Sequence, residues 1–208
     1  TAWRTWDWKP ENDRDFTGLP IVTLSQNPSQ QDQYTQEFRY TLARDRFDLV
    51  AGAFGYHQRI DTQGTEQHGP ASSRWTINPS NALSNDPSVL DGLTARNTQW
   101  LESTSLALFG QLSWKLSDTL TIQPGLRLNY DRKEGFYARR VFTGSGSELL
   151  GTETDPRSLA QLGVFRPQLS APSSSDWNLS YDLTASFRLA PDMLAYGTYA
   201  RSFKTIGI

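Results

Sequence analysis

The chain contains no cysteine, one methionine and two histidines. Without cysteine there is no disulfide framework and no thiolate metal site. His57 and His68 have no spacing partner for a metal centre, and no cofactor is expected. No apolar run approaches the ~20 residues that a membrane-crossing helix needs. That excludes a helical membrane protein but leaves strand-built spans open, because a barrel gives only a weak signal per strand. Aliphatic content is low as well, with 37% hydrophobic residues and a mean hydropathy of −0.57. A water-soluble domain usually carries more. A membrane barrel need not, since only one face of each strand meets lipid. Neither sign of charge dominates: the formal net charge is −2 over 208 residues. There is no basic footprint for nucleic acid and no polybasic segment for an anionic leaflet.

Catalytic constellations are equally scarce, and the chain reads as a non-enzyme. Gly144-Ser145-Gly146-Ser147-Glu148 lacks the lysine of a phosphate loop and follows no buried strand into a helix. It reads as a flexible loop tip. Carboxylates are plentiful, but none is marked as an acid/base pair by sequence alone.

Aromatic residues are abundant: 7 Trp, 8 Tyr and 10 Phe. They fall into alternating rows. Over 119–131, Leu120, Ile122, Pro124, Leu126, Leu128 and Tyr130 share one parity, while Thr121, Gln123, Arg127, Asn129 and Asp131 share the other. Side chains of a strand alternate faces, so this strand has one apolar and one polar face. Pro124 cannot donate to a ladder and needs a bulge or a locally unpaired edge. Residues 177–189 repeat the pattern, from Trp177 and Leu179 to Phe187 and Leu189. Both strands are longer than the ~5–6 residues usual in soluble sheets and match the ~9–11 needed to cross a bilayer at a tilt. Five further strands are less regular, and the expected set is 1–9, 32–44, 46–60, 99–117, 119–133, 176–189 and 192–205. Residues 46–60 and 193–204 are apolar on both parities, so their faces stay unassigned.

The connections carry the strongest argument. Arg44-Asp45-Arg46, Ser117-Asp118 and Ala190-Pro191-Asp192 read as tight turns. Between them lie long polar stretches at 10–31, 61–98 and 133–176. The order is short, long, short, long, as in outer-membrane barrels with short periplasmic turns and longer outer loops. The expected fold is therefore all-β: an antiparallel meander of about seven long strands over a single domain, 1–208, forming part of a transmembrane β-barrel. Trp100, Tyr130, Tyr137 and Trp177 fit an aromatic girdle at its outer rim. Arg39, Arg127, Asp131, Asp182 and Arg188 fall on the faces expected to line the lumen. The chain opens on strand-like Thr1-Ala2-Trp3-Arg4 and stops at Ile208, and both ends read as cuts in a longer polypeptide.

Several motifs resemble the barrel of TonB-dependent receptors. They are Glu37-Phe38-Arg39 followed by Asp45–Phe54, then Leu106–Leu112, then Leu120–Asp131, then Leu194–Lys204. The family commonly has Gly where Ser202 stands and often Ala where Pro124 stands. The resemblance implies a 22-stranded barrel of the bacterial outer membrane, closed by a plug domain that this chain lacks. It also implies import of a scarce nutrient, most often a ferric siderophore, with vitamin B12, haem and oligosaccharides as other cargoes. Energy would come from the TonB coupling protein through the plug. Lipid would cover the apolar strand faces.

Ligand contacts are expected in the outer loops. Arg139 and Arg140 lie beside Tyr137 and Phe142 at an outer strand end, and a cationic, aromatic cluster suits an anionic ferric chelate. The competing reading is a solvated charged rim, the commoner role of such a cluster. Trp75 sits mid-loop and is either a ligand contact or a packing residue, packing being commoner. Two other functions share parts of the pattern: a passive, porin-like channel, and a soluble β-sandwich that binds carbohydrate through exposed Trp and Tyr. A β-barrel lipase is more distant.

Overall fold

Seven long strands pair in chain order as an antiparallel meander, in a computed structural model that describes residues 1–205 and 207. Of the expected domain, residues 206 and 208 lie outside the described ones. The long strands are β1 (Ala2–Trp8), β3 (Ser29–Ala43), β4 (Phe47–His68), β5 (Thr94–Lys115), β6 (Leu120–Phe142), β9 (Ser173–Ala190) and β10 (Met193–Arg201). Three short strands extend the upper end of the sheet: β2 (Val22–Gln26) pairs with β4, while β7 (Glu148–Leu149) and β8 (Gln168–Ser170) pair with β6. The expected tight turns join β3 to β4, β5 to β6 and β9 to β10. Arg44 N donates to Phe47 O, Leu116 N donates to Leu120 O, and Ser117 Oγ accepts from Leu120 N.

Register assigns every face, because residues paired across a ladder project to the same side. Leu108 pairs with Leu128, which pairs with Leu179. Phe38 pairs with Ala53, which pairs with Leu108. These form one continuous outer face. On the other face Ala107 and Asn129 are each 5% exposed, whereas Leu108 and Leu126 on the outer face are 63% and 56% exposed. The sheet thus curls with its polar face inward. The faces of β4, illegible in the sequence, are settled too: Phe47, Leu49, Ala51 and Ala53 point outward, and Val50, Phe54 and Tyr56 inward. Arg39, Arg127, Asp131, Asp182 and Arg188 all sit on the inner face.

The apolar outer band has sharp edges. On β6 it runs from Leu120 to Tyr130, ~34 Å of strand and ~24 Å of height at a 45° tilt. Trp3 pairs with Tyr34 in the register row of Arg132, one outward position above Tyr130, and Tyr130 meets Trp177 at 5.0 Å with the ring planes tilted by 42°, at the upper edge of the band. Above Tyr130 the outer face turns charged, with Arg59 near Glu102 at 3.6 Å and Arg132 bound to Glu134 at 2.6 Å. Pro124 produces no bulge. The ladder to β5 skips two pairs and resumes in the same register, Gln111 opposite Gly125 and Trp114 opposite Ile122. The missing proline donor is absorbed as a gap, while pairing to β9 continues through Leu183.

Three expected strand ends are corrected. β4 runs to His68 rather than 60, β5 begins at Thr94 rather than 99, and β6 reaches Phe142 rather than 133. Much of the expected loops at 61–98 and 133–176 is therefore sheet, and 10–31 contains β2. The physical reason lies in the surroundings. Above the apolar band both faces of these strands meet water or polar groups, so the period-2 signal vanishes while the backbone ladder persists. Tyr137 is corrected as well: it faces inward, and Trp100 lies above the girdle row, paired with Phe136.

The remaining connections pack as a cap. The 69–93 loop carries α1 (Ser72–Thr76) and two 3-10 turns, and the 143–172 loop carries α2 (Pro156–Val164). Asp155 caps α2 by accepting from Ser158 N at 2.9 Å, with Pro156 in the first turn. Val89, Leu90 and Leu93 from the first loop meet Leu149, Leu162 and Phe165 from the second, against Ala95 and Val141 of β5 and β6. Ala95 pairs with Val141 on the inner face, so the cap lies over the inner side of the projecting sheet.

Candidate functional site

Parity along β6 separates the two neighbouring arginines. Arg140 pairs with Arg96 on the outer face, and Arg139 pairs with Asn97 on the inner face. Arg140 is neutralised there: its Nε and Nη2 donate to Glu148 at 2.7 and 2.5 Å. That bidentate contact holds the Glu148 carboxyl below its ordinary range. The expected cluster of Arg139, Arg140, Tyr137 and Phe142 is therefore divided by the sheet, with Arg139 and Tyr137 on the inner face and Arg140 and Phe142 on the outer. Arg140 belongs to an outer charged rim.

Arg139 has the opposite surroundings. Its Nε donates to Asn97 Oδ1 at 2.9 Å, and Tyr137 Oη donates to the same oxygen at 3.0 Å. Its guanidinium carbon lies 5.7 Å from the Tyr137 ring centre and 5.9 Å from that of Phe165. Among the described residues it has no carboxylate partner. With Nε committed, its four remaining N–H groups make no hydrogen bond to another of the described residues. An arginine held by its Nε presents a planar fork suited to two oxygens of an anion. Its aromatic partners come from β6 and from the residue that ends α2, so the site joins the sheet wall to the cap.

Trp75 sits on α1, 67% exposed, and is not among the rings that flank Arg139. Asn97 and Phe165 were not foreseen. The first is a cross-strand partner that only the register reveals, and the second comes from a distant loop.

Beside this site His68 ties the two cap loops together. Ser72 Oγ hydrogen-bonds its Nδ1, and the Phe165 ring meets it edge-on at 4.9 Å. Burial, then the nearby positive charge of Arg14, lowers its pKa to about 4. At neutral pH it is an uncharged buried group. Ser72 is fully buried, so the pair is structural. Among the described residues no group of three or more acidic, histidine or cysteine side chains could hold a metal.

Comparison with known proteins fits this geometry. The family model for the β-barrel of TonB dependent receptor-like proteins matches residues 2–207. Among solved structures, the crystal structure of the ferric yersiniabactin uptake receptor FyuA from Yersinia pestis aligns with a TM-score of 0.61 at 18% identity. The alignment covers 94% of this chain and 24% of that one, so the present chain spans about a quarter of that structure. The likeness is one of fold. No curated protein matches. The family match across nearly every residue, on a sheet with a lipid-like outer band and a polar inner wall, places the chain in the TonB-dependent receptor β-barrel family, transport receptors of the bacterial outer membrane.

Proposed function

We propose that this chain is one sector of the barrel wall of an outer-membrane receptor that imports a scarce nutrient, with an anionic iron–siderophore chelate as the cargo. The apolar band sits in the bilayer, with Tyr130 and Trp177 at its outer interface. The tight turns face the periplasm, and the cap faces outward. The wall contacts a plug domain through its polar inner face, and that plug receives energy from the TonB coupling protein.

The observation that carries the cargo class is Arg139. It is a cation on the inner wall, oriented by Asn97, flanked by Tyr137 and Phe165, and unpaired with any carboxylate among the described residues. A charge-assisted hydrogen bond from such a group contributes ~1.5–3 kcal/mol, about tenfold to a hundredfold in affinity. The test is binding of ferric citrate, a ferric tris-hydroxamate and a ferric tris-catecholate to the complete receptor in detergent. At least one should bind, and R139Q should weaken it about tenfold or more while R140Q leaves it within twofold. Equal effects of the two substitutions, or binding of none of the three, would overturn the reading.

A further inference from the structure

The outer face of the sheet continues above the apolar band in a definite order. On β6, Arg132 stands one outward position above Tyr130, then Glu134, then Phe136. The Glu134 row crosses four strands, with Asp32 opposite Arg59, Arg59 opposite Glu102 and Glu102 opposite Glu134. Arg59 is bound to Asp61 at 2.8 Å and lies 3.6 Å from Glu102, and Arg132 is bound to Glu134 at 2.6 Å. The two arginines are therefore outnumbered by carboxylates. In the next row Trp100 pairs with Phe136. Their rings stack at 6.3 Å, 12° from parallel, and the Arg59 guanidinium carbon lies 5.4 Å from the Trp100 ring centre. Both rings remain part-exposed.

β4, β5 and β6 each have both neighbours within the chain, so this face stays outward whatever strands complete the barrel. Height decides what it meets. Two residues of strand rise ~7 Å, or ~5 Å in height at a 45° tilt. Counted from Tyr130, Arg132 lies ~5 Å above the apolar band, the Glu134 row ~9 Å and the Trp100–Phe136 pair ~14 Å. The polar layer of a phospholipid bilayer is only about 5–7 Å deep on each side. Arg132 falls inside that layer, and the two rows above it fall beyond. A lipid whose tails cover the band reaches those rows only through a headgroup larger than that of a phospholipid.

The side chains specify this headgroup. Surplus carboxylates repel a bare phosphate but accept hydrogen bonds from hydroxyl groups, and the arginines donate to them. The aromatic pair adds apolar surface for the C–H groups of a sugar ring. We propose that the outer face from Glu134 to Phe136 is a seat for the sugar headgroup of an outer-leaflet glycolipid, with Trp100 and Phe136 against the sugar C–H groups and Glu102 and Glu134 accepting from its hydroxyls. The patch is continuous with the lipid-covered band, so its occupant is anchored in the membrane beside the barrel. The seat requires the orientation proposed above, with the cap outward, and is independent of the cargo.

The experiment measures Kd of the complete receptor, in detergent, for three probes: lipopolysaccharide with its core sugars, lipid A that lacks them, and the core oligosaccharide alone. Wild type should bind the full glycolipid at least tenfold more tightly than either part. W100A/F136A should weaken the full glycolipid at least fivefold and leave lipid A within twofold. E102Q/E134Q, which keeps the side-chain shapes, should weaken it at least threefold with the same selectivity. Each Kd is taken on receptor that shifts in mobility on boiling, so that only folded protein counts. An unchanged Kd for the full glycolipid in E102Q/E134Q, or an equal loss for lipid A, would overturn the proposal. Free oligosaccharide bound as tightly as the glycolipid would overturn the membrane-anchored occupant. Chelate affinity should stay within twofold in both variants, and a parallel loss there would mark damage to the whole wall and also count against the seat. Trypsin added to intact cells checks the orientation separately: cuts in the cap are expected, and a protected cap would put this face in the other leaflet.

Discussion

Asn97 and Arg139 are register partners across β5 and β6, and the asparagine Oδ1 receives the arginine Nε at 2.9 Å. The carboxamide orients the guanidinium without cancelling its charge. An aspartate of the same shape at position 97 would do both. N97D should therefore keep the fold and cut affinity for an anionic chelate at least tenfold, approaching R139Q. Isothermal titration on both variants checks this, and an affinity in N97D equal to wild type would remove Arg139 from the site.

The His68 contact predicts an acid-sensitive cap. Its pKa in the fold is about 4, below the ~6.5 of an unfolded chain. Its depressed value means the fold favours the neutral form. The stabilisation is complete above ~6.5, falls as the pH drops below it, and is gone below about 4. The difference corresponds to ~3 kcal/mol. Protection of the amides of residues 69–93 and 143–165, measured against intrinsic exchange at each pH, should fall between pH 6.5 and 4 in the wild type. In H68F the protection should stay level across the same interval.

Packing between the two cap loops passes through a pair of glycines. Gly92 has φ +73°, and a side chain there would meet Gly144 Cα at 2.8 Å. G92A should loosen both loops together, through a left-handed backbone that costs alanine ~1–2 kcal/mol and through the clash. Limited proteolysis gives the readout, with cuts expected in 69–93 and in 143–165. Cutting confined to the mutated loop would show that the two do not form one unit.

The outer band predicts a depth-dependent cost. Leu126 lies near its middle and is 56% exposed, and an arginine there should cost ~2–4 kcal/mol in a bilayer. Trp100, above the girdle row, should accept arginine at much smaller cost. Refolding of the complete receptor into lipid vesicles, followed by urea titration, compares L126R with W100R. Similar losses would put the bilayer at another height.

The sequence made the band legible because lipid on one face and polar groups on the other impose a strict alternation over Leu120–Tyr130 and Trp177–Leu189. It made the site only half legible. Tyr130 is outward, so Arg140 is outward and Arg139 inward by simple parity, provided that β6 continues. That continuation was hidden because Arg132, Lys133 and Glu134 carry charge on both faces. Asn97 needs the β5–β6 register, which no local pattern supplies. Phe165, 26 residues beyond Arg139 along the chain, needs the packing of a separate loop. The alternation of short turns and long connections survived in the structure, while the long ones proved to be partly sheet and partly folded cap.

The close-packed apolar cluster of buried side chains lies in the cap, around Leu90, Leu93 and Val141. The wall instead turns its leucines outward. The two parts therefore answer to different solvents. Detergent or lipid holds the wall, whereas water drives the cap together as it does any small globular protein. Denaturation should accordingly proceed in two steps, with urea melting the cap on a receptor whose wall is still intact and heat in detergent needed for the rest. Folding of the cap and folding of the wall are thus thermodynamically separable in one continuous sheet, and cap sequences can vary without endangering the wall.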